Sequence, residues 1–149
     1  MAVRHQKCNA MAASAGTQQC SYLELLIVID NAVAKQLRNS IDSEAFLKRL
    51  KGDRQLAEMI LKVFLEHSAL QLSSLRGRLD DADAPGVRLQ AHTLRGGSAN
   101  VSAEVLRALC RETEEAAASN ELSRARVLLP RLEEQFELLK VTLKQSGWV

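Results

Sequence analysis

Aromatic residues and prolines are scarce in this chain, and long hydrophobic runs are missing. Aromatic residues make up 3% of the 149 positions and prolines number two, a composition that favours helices. The first long apolar run covers residues 25–29, far fewer than the ~20 residues that a membrane-spanning helix needs. The first 20 residues also lack the apolar core of a secretory signal. We therefore expect no association with a membrane.

Cysteines are also few, and the net charge is small. The cysteines at positions 8, 20 and 110 are odd in number and scattered, which argues against a disulfide framework and favours a reducing, cytoplasmic location. His5, Cys8 and Cys20 lack a fourth ligand and a CxxC pair, so free thiols are favoured over a metal site. A net charge of +2 is too close to neutral to indicate a nucleic-acid partner.

Composition and periodicity divide the chain into three segments. Residues 1–20 are small and polar without periodicity, which predicts a disordered tail. Apolar residues recur every four positions within residues 21–40, which predicts an extra N-terminal helix or a linker. Packing of this segment on the main domain is favoured over a dimer contact or a connection to a neighbouring domain. Residues 41–146 are predicted to form the main helical domain.

The pattern of residues 41–146 predicts an all-α fold, an antiparallel four-helix bundle preceded by a short helix. Asp42 or Ser43 is the expected cap of the short helix, and Asp53 caps the first long helix. The long helices are expected over residues 54–81, around His92 with an end near Asn100, over 103–119 and over 121–144. The inner face predicted for the first of them consists of Leu56, Ile60, Val63, Phe64, Leu70, Leu75 and Leu79, with Leu61, Leu65 and Leu72 outside it.

His92 has unusual surroundings on its predicted helix. At 100° per residue it lies about 160° from Leu94, opposite the apolar stripe, so it should face water. Its neighbours one turn away include Arg88, Arg95 and Gly96. A neutral imidazole is a nucleophile, guanidinium groups hydrogen-bond phosphoryl oxygens, and a glycine leaves space for a partner. This set suits a side chain that accepts and surrenders a phosphoryl group.

Other polar residues in the helices are better explained as structural. His67 has neither an adjacent glycine nor a basic residue one turn away, so a packed or half-exposed structural histidine is favoured over a second phosphoryl acceptor. Cys110 falls on the apolar side of its helix, which predicts a buried, unreactive thiol. Asn100 suits the special backbone angles of a helix end or the cap of the next helix.

Residues 91–103 read Ala-His-Thr-Leu-Arg-Gly-Gly-Ser-Ala-Asn-Val-Ser-Ala. This stretch resembles the signature of histidine-containing phosphotransfer (HPt) domains, usually written A-H-T-L-K-G-S-S-A-N-V-G-A. The resemblance covers about residues 42 to 144 and departs from the pattern at Arg95, Gly97 and Ser102. It extends through Phe46, Leu50, Gly52, Asp53, Phe64 and Leu75 before the signature, and through Leu106, Cys110, Glu114 and Phe136 after it.

The resemblance implies a phosphorelay intermediate. His92 would accept a phosphoryl group from a receiver-domain aspartate or a sensor kinase and pass it to another receiver, with Arg88 and Arg95 reducing charge repulsion. Gly96 would leave room for the receiver, and Leu89 would give it an apolar docking point. The implied partners are response-regulator receiver domains and a hybrid sensor histidine kinase.

The sequence contains no phosphate-binding glycine loop, no acidic cluster for magnesium and no base at a fixed offset from His92. We therefore expect a carrier without a nucleotide site or cofactor of its own, with magnesium bound by the partner receiver. The bundle implies no bilobed cleft or pocket, and we expect the protein to be a monomer.

Two alternatives remain open. One is a helical adaptor that binds a receiver domain without accepting phosphate; the conjunction of His92, Arg95 and Gly96 on one face argues against it, since an adaptor has no need of that set. The other is the dimerisation and phosphoacceptor part of a sensor kinase, whose ATP-binding domain would have to follow Val149.

Overall fold

A computed structural model describes Lys35 and residues 40–149 of the chain. Its helices are α1 (Ser43–Arg49), α2 (Arg54–Asp80), α3 (Ala84–Asn100), α4 (Glu104–Ala118) and α5 (Leu122–Gln145). No strand occurs in that part of the chain, so the predicted all-α fold is confirmed. The predicted tail and, apart from Lys35 and Ser40, the predicted N-terminal helix lie outside the described residues, as do His5, Cys8 and Cys20.

Aspartates cap the first three helices at their N-terminal ends. The side chains of Asp42, Asp53 and Asp83 each accept a hydrogen bond of 2.9–3.0 Å from the backbone N–H three residues later. Such a cap stabilises a helix by about 1 kcal/mol because it pairs an N–H group that has no partner within the helix. The prediction of a cap at Asp42 or Ser43 thus resolves to Asp42, and the cap at Asp53 is confirmed.

The predicted inner face of α2 is partly wrong. Val63 is exposed, and Leu70 is 71% exposed, whereas Leu61 and Leu72 are buried. His67 is exposed as well and is not packed. The buried stripe of α2 consists of Ala57, Leu61, Phe64, Ser68, Leu72, Leu75 and Leu79. The helix carries large apolar residues on more than one side, so their spacing alone does not identify the buried face. The buried face also includes the small residues Ala57 and Ser68.

The four long helices of the described residues pack in chain order around a main core and a smaller second cluster of buried apolar residues. Helix α3 packs against α2 and α4, α5 packs against α4, and a looser contact between α5 and α2 closes the bundle. Leucines dominate the fully buried side chains, and Cys110 is buried among them, as predicted. The most closely packed pair is α3 with α4, which is the pair that carries the features described below.

The end of α3 is held by the segment that contains α1. The Arg49 guanidinium donates to the carbonyl oxygens of Ala99 at 3.3 Å and Asn100 at 2.8 Å, and to Ser102 Oγ at 2.5 Å. The last carbonyls of a helix have no partner within it, so these bonds pair groups that would otherwise depend on water.

The backbone turn after α3 is made by Ser102. Its φ is 60°, in the left-handed region, while Asn100 remains the last helical residue. The residue that precedes α4 is Ala103, whose side chain makes no capping hydrogen bond. The two structural roles predicted for Asn100 are therefore wrong. The left-handed turn comes two residues later than the sequence suggested.

The same end of the bundle is closed by the residues after α5. Trp148 is buried in the main core, beyond the boundary predicted at residue 146, and its backbone N–H donates to the Leu143 carbonyl at 2.9 Å. The Arg54 guanidinium lies 4.9 Å from the centre of the Trp148 ring. None of the helices among the described residues combines the length and the apolar character needed to cross a membrane.

Candidate functional site

Helix α3 presents His92 on its outer side because the opposite side is buried. Val87, Ala91 and Leu94 are fully buried against the neighbouring helices. Asp83 caps the helix and accepts from the N–H of Gly86, where an added Cβ would collide with the Asp83 carboxylate. The His92 side chain is 60% exposed, which confirms the exposure predicted from the helical pattern. His92 thus stands on a helix that is capped at its start and anchored by Arg49 at its end.

The imidazole of His92 contacts a carboxylate from the next helix. Glu114 Oε1, on α4, lies 3.0 Å from His92 Nδ1. Arg95, one turn after His92, lies with Nη1 3.2 Å from Glu114 Oε2 and with Nη2 3.3 Å from His92 Nδ1. The three side chains therefore form one connected polar group.

The contacts of His92 Nδ1 determine which ring nitrogen carries the proton. A carboxylate only accepts hydrogen bonds, whereas an arginine only donates them, so Nδ1 cannot satisfy both neighbours. The contact with Glu114 is the shorter of the two, and Arg95 already has the Glu114 carboxylate as its ionic partner. We therefore assign the proton to Nδ1, which donates to Glu114, and this leaves Nε2 with a free lone pair.

The sequence indicated Glu114 only as part of the family resemblance, and its contact with His92 was not predicted. The Glu114 side chain is only 15% exposed, and its Oε2 atom is fully buried without a hydrogen-bond partner, because the nearby Arg95 nitrogen is not aligned to donate. A buried carboxylate is costly unless positive charge or hydrogen bonds compensate it. The sequence offered no base at a fixed offset from His92, and the structure brings a carboxylate to the ring from the next helix. Glu114 is separated from His92 by 22 positions, so no local spacing could reveal the contact.

The other predicted site residues occupy different places around His92. Arg88 is exposed on α3, and Leu89 beside it is also exposed. Gly96 is exposed, and a Cβ added there would have no heavy atom within 4 Å. Gly97 serves packing instead, because an added Cβ would lie 3.3 Å from the Phe64 ring on α2. The two adjacent glycines thus face different surroundings.

Two grooves run between α3 and α4, one on each side of the His92–Glu114 contact. The first has a volume of about 640 Å³. It is lined by Ala84, Pro85, Arg88, Leu89, His92, Glu114, Ala117, Ala118 and Asn120. The second has a volume of about 530 Å³. It is lined by Arg95, Gly96, Ala99, Glu104, Arg107, Ala108 and Arg111. The bundle pattern implied no bilobed cleft or pocket, and these are open surface grooves that small residues on both helices create.

Residues 40–149 bring together no group of three histidine, cysteine, aspartate or glutamate side chains in a geometry suited to a metal ion. The polar group at His92 combines one imidazole, one carboxylate and one guanidinium, and a guanidinium does not coordinate metals.

Comparisons with known proteins identify the family. A comparison with curated proteins finds no match. The crystal structure of histidine-containing phosphotransfer protein B (HptB) from Pseudomonas aeruginosa PAO1 is similar, at 31% identity and a TM-score of 0.68. The matched region covers 72% of this chain and 93% of that one. The sequence profile of the Hpt domain family matches residues 59–142, which include His92, Arg95 and Glu114. The chain therefore belongs to the family of Hpt domains, the histidine-containing phosphotransfer domains of phosphorelays.

Proposed function

We propose that this protein is a phosphorelay intermediate that carries a phosphoryl group on His92. It accepts the group from the aspartate of a receiver domain, or from a sensor kinase, and passes it to the aspartate of another receiver. The observation that carries the proposal is the contact of His92 Nδ1 with Glu114 at 3.0 Å on an imidazole that remains 60% exposed. This contact supports Nε2 as the nucleophile, because Nδ1 is occupied and Nε2 is not.

The proposed transfer needs no separate base. The lone pair of Nε2 attacks the phosphorus of the aspartyl phosphate, an N–P bond forms, and the P–O bond to the aspartate breaks with its electron pair left on the carboxylate. The proton on Nδ1 stays where it is, so the phosphorylated ring carries a positive charge. The Glu114 carboxylate lies against that charge and stabilises it. Transfer to the next receiver reverses each of these changes.

Other residues around His92 support contact with the phosphoryl group and the partner. Arg95 lies 3.3 Å from the imidazole and Arg88 lines the same groove as His92, so both guanidinium groups reduce the repulsion felt by an incoming phosphoryl group. Arg95 is 35% exposed and remains paired with Glu114, so it reaches the phosphoryl oxygens from a fixed position. The open space beside Gly96 gives the receiver surface room to approach. Magnesium belongs, in this proposal, to the receiver.

The test is transfer of radiolabel from receiver domains phosphorylated on aspartate, followed for the native protein and for His92→Gln. Label is expected on the native protein, stable in alkali and labile in acid, and absent from the variant. A His67→Gln variant is the matched control, because His67 is an exposed histidine without the glutamate contact. Receivers that bind but pass no label would contradict the proposal and favour the adaptor alternative.

A further inference from the structure

Three arginines line the second groove beside His92. Arg95 comes from α3, while Arg107 and Arg111 come from α4, and the only acidic residue in the lining is Glu104. The floor is made of small residues, Gly96, Ala99 and Ala108. The groove thus places three guanidinium groups around an open space next to the proposed phosphoacceptor.

The two α4 arginines are available to a partner. Arg107 is 50% exposed and pairs with Glu104 at 2.9 Å, while Arg111 is 62% exposed and lies 3.7 Å from Glu115. Both pairs join neighbours on the same helix at the surface, where an ion pair contributes only about 0–1 kcal/mol. A carboxylate from another molecule can therefore replace the glutamate without a large loss, and a guanidinium binds a carboxylate through two parallel hydrogen bonds.

The first groove differs in character. Its lining includes Pro85, Leu89, Ala117 and Ala118, and Leu89 is exposed. Five of the nine residues that line the first groove are apolar, and the others are Arg88, His92, Glu114 and Asn120. A partner that reaches His92 therefore meets a more apolar groove on one side and a groove with three arginines on the other. This asymmetry fixes how a complementary surface must be oriented.

We propose that the arginine groove binds acidic side chains on the receiver domain that exchanges the phosphoryl group with His92. This inference rests on the proposed function, which requires the receiver's aspartyl phosphate to reach Nε2. A partner whose reacting group is itself negative gains from positive charge beside the point of contact, since the attraction steers its approach. Arg107 and Arg111 act on docking, and His92 and Glu114 act on the transfer.

The experiment measures binding of a panel of purified receiver domains, encoded in the same genome, to the full chain. The variants are Arg107→Glu and Arg111→Glu, with Lys140→Glu as the matched control. Lys140 on α5 is also 50% exposed and pairs with a glutamate three residues away at 2.9 Å. We expect each groove variant to raise the Kd about tenfold at low salt, with the difference shrinking as salt screens the charges. The control should bind as the native protein does, and Arg107→Gln should give an intermediate Kd.

Transfer of radiolabel is measured with the same receivers, so that the two proposals can fail separately. Transfer to His92 combined with an unchanged Kd in the groove variants would overturn the groove proposal alone. Arginine-dependent binding without any transfer would overturn the phosphotransfer proposal and leave the groove as a docking site. An equal loss of binding in Lys140→Glu, or no binding by any receiver at low salt, would also overturn the groove proposal.

Discussion

Glu114 brings a buried negative charge to an exposed histidine. The carboxylate is compensated by Arg95 and by the Nδ1–H group of His92, so the three side chains depend on one another. Removing any one of them leaves another without its partner, and such effects are not additive. The imidazole orientation is therefore set by α4 as well as by its own helix.

Replacement of Glu114 by glutamine tests this dependence. Glutamine has nearly the same shape but no charge, so it would not stabilise the positive ring that the proposed transfer forms on His92. We expect the rate of phosphoryl transfer in Glu114→Gln to fall about 100-fold. The measurement is a single-turnover assay at saturating receiver, and thermal unfolding of the variant checks that the fold is intact. A transfer rate equal to that of the native protein would contradict a role for the carboxylate.

Cys110 provides a second test at the scale of one residue. Burial raises the pKa of its thiol to about 12, whereas a thiol in an unfolded chain ionises near 8.5. Between these values the unfolded state loses a proton that the folded state keeps, so the free energy of unfolding falls as the pH rises. The loss approaches about 1.4 kcal/mol per pH unit above pH ~9. Urea unfolding at several pH values should show this slope in the native protein and a smaller one in Cys110→Ala.

At the scale of the helices, the spacing of apolar residues predicted the buried face of α3 correctly but the buried face of α2 only in part. On α3 the inner stripe of Val87, Ala91 and Leu94 was clear, so the exposure of His92 followed from the period of the helix. On α2 large apolar side chains occur on several sides, and the hydrophobic period alone did not identify the inner one. The contact of His92 with Glu114 joins two helices, and no pattern within one helix carries that information. The family signature identified His92, whereas the structure shows that His92 contacts Glu114.

The corrected face of α2 predicts opposite results for two leucines separated by half a turn. Leu72 is buried in the main core, and Leu72→Ala should lower the free energy of unfolding by about 2–5 kcal/mol because it leaves a cavity. Leu70 is exposed, and Leu70→Ala should change the free energy of unfolding by about 0.5 kcal/mol or less. Urea unfolding of both variants provides the measurement. A larger loss for Leu70→Ala than for Leu72→Ala would contradict the assigned face.

At the scale of the whole molecule, one end of the bundle joins parts that are distant in the chain. Arg54 at the start of α2 donates to the Gly147 carbonyl at 3.1 Å, and Asp42 N–H donates to the Ser102 carbonyl at 3.0 Å. Trp148 fills the core at this end. These links fix the ends of the long helices, which include the end of the helix that carries His92.

Replacement of Trp148 should therefore destabilise the bundle as a unit. We expect Trp148→Ala to lower the free energy of unfolding by about 3–5 kcal/mol, as is typical for removal of a buried aromatic side chain. Arg54→Ala removes the cation over the ring together with the surface contacts of Arg54 to the Gly147 carbonyl and Glu58, and should cost about 1 kcal/mol. Calorimetry or urea unfolding checks both values. Equal losses in the two variants would show that the indole contributes through the arginine and not through its burial.

The two grooves beside His92 have no lining residue in common. Positions 107 and 111 are exposed and lie outside the core, so they are free to change by mutation without loss of the fold. After a gene duplication, two copies of this protein could diverge in the partners they recognise while both keep His92 and Glu114. In the proposed docking role, Arg107 and Arg111 are separate from His92 and Glu114, so substitutions at these two surface positions change the choice of partner without changing the reacting group.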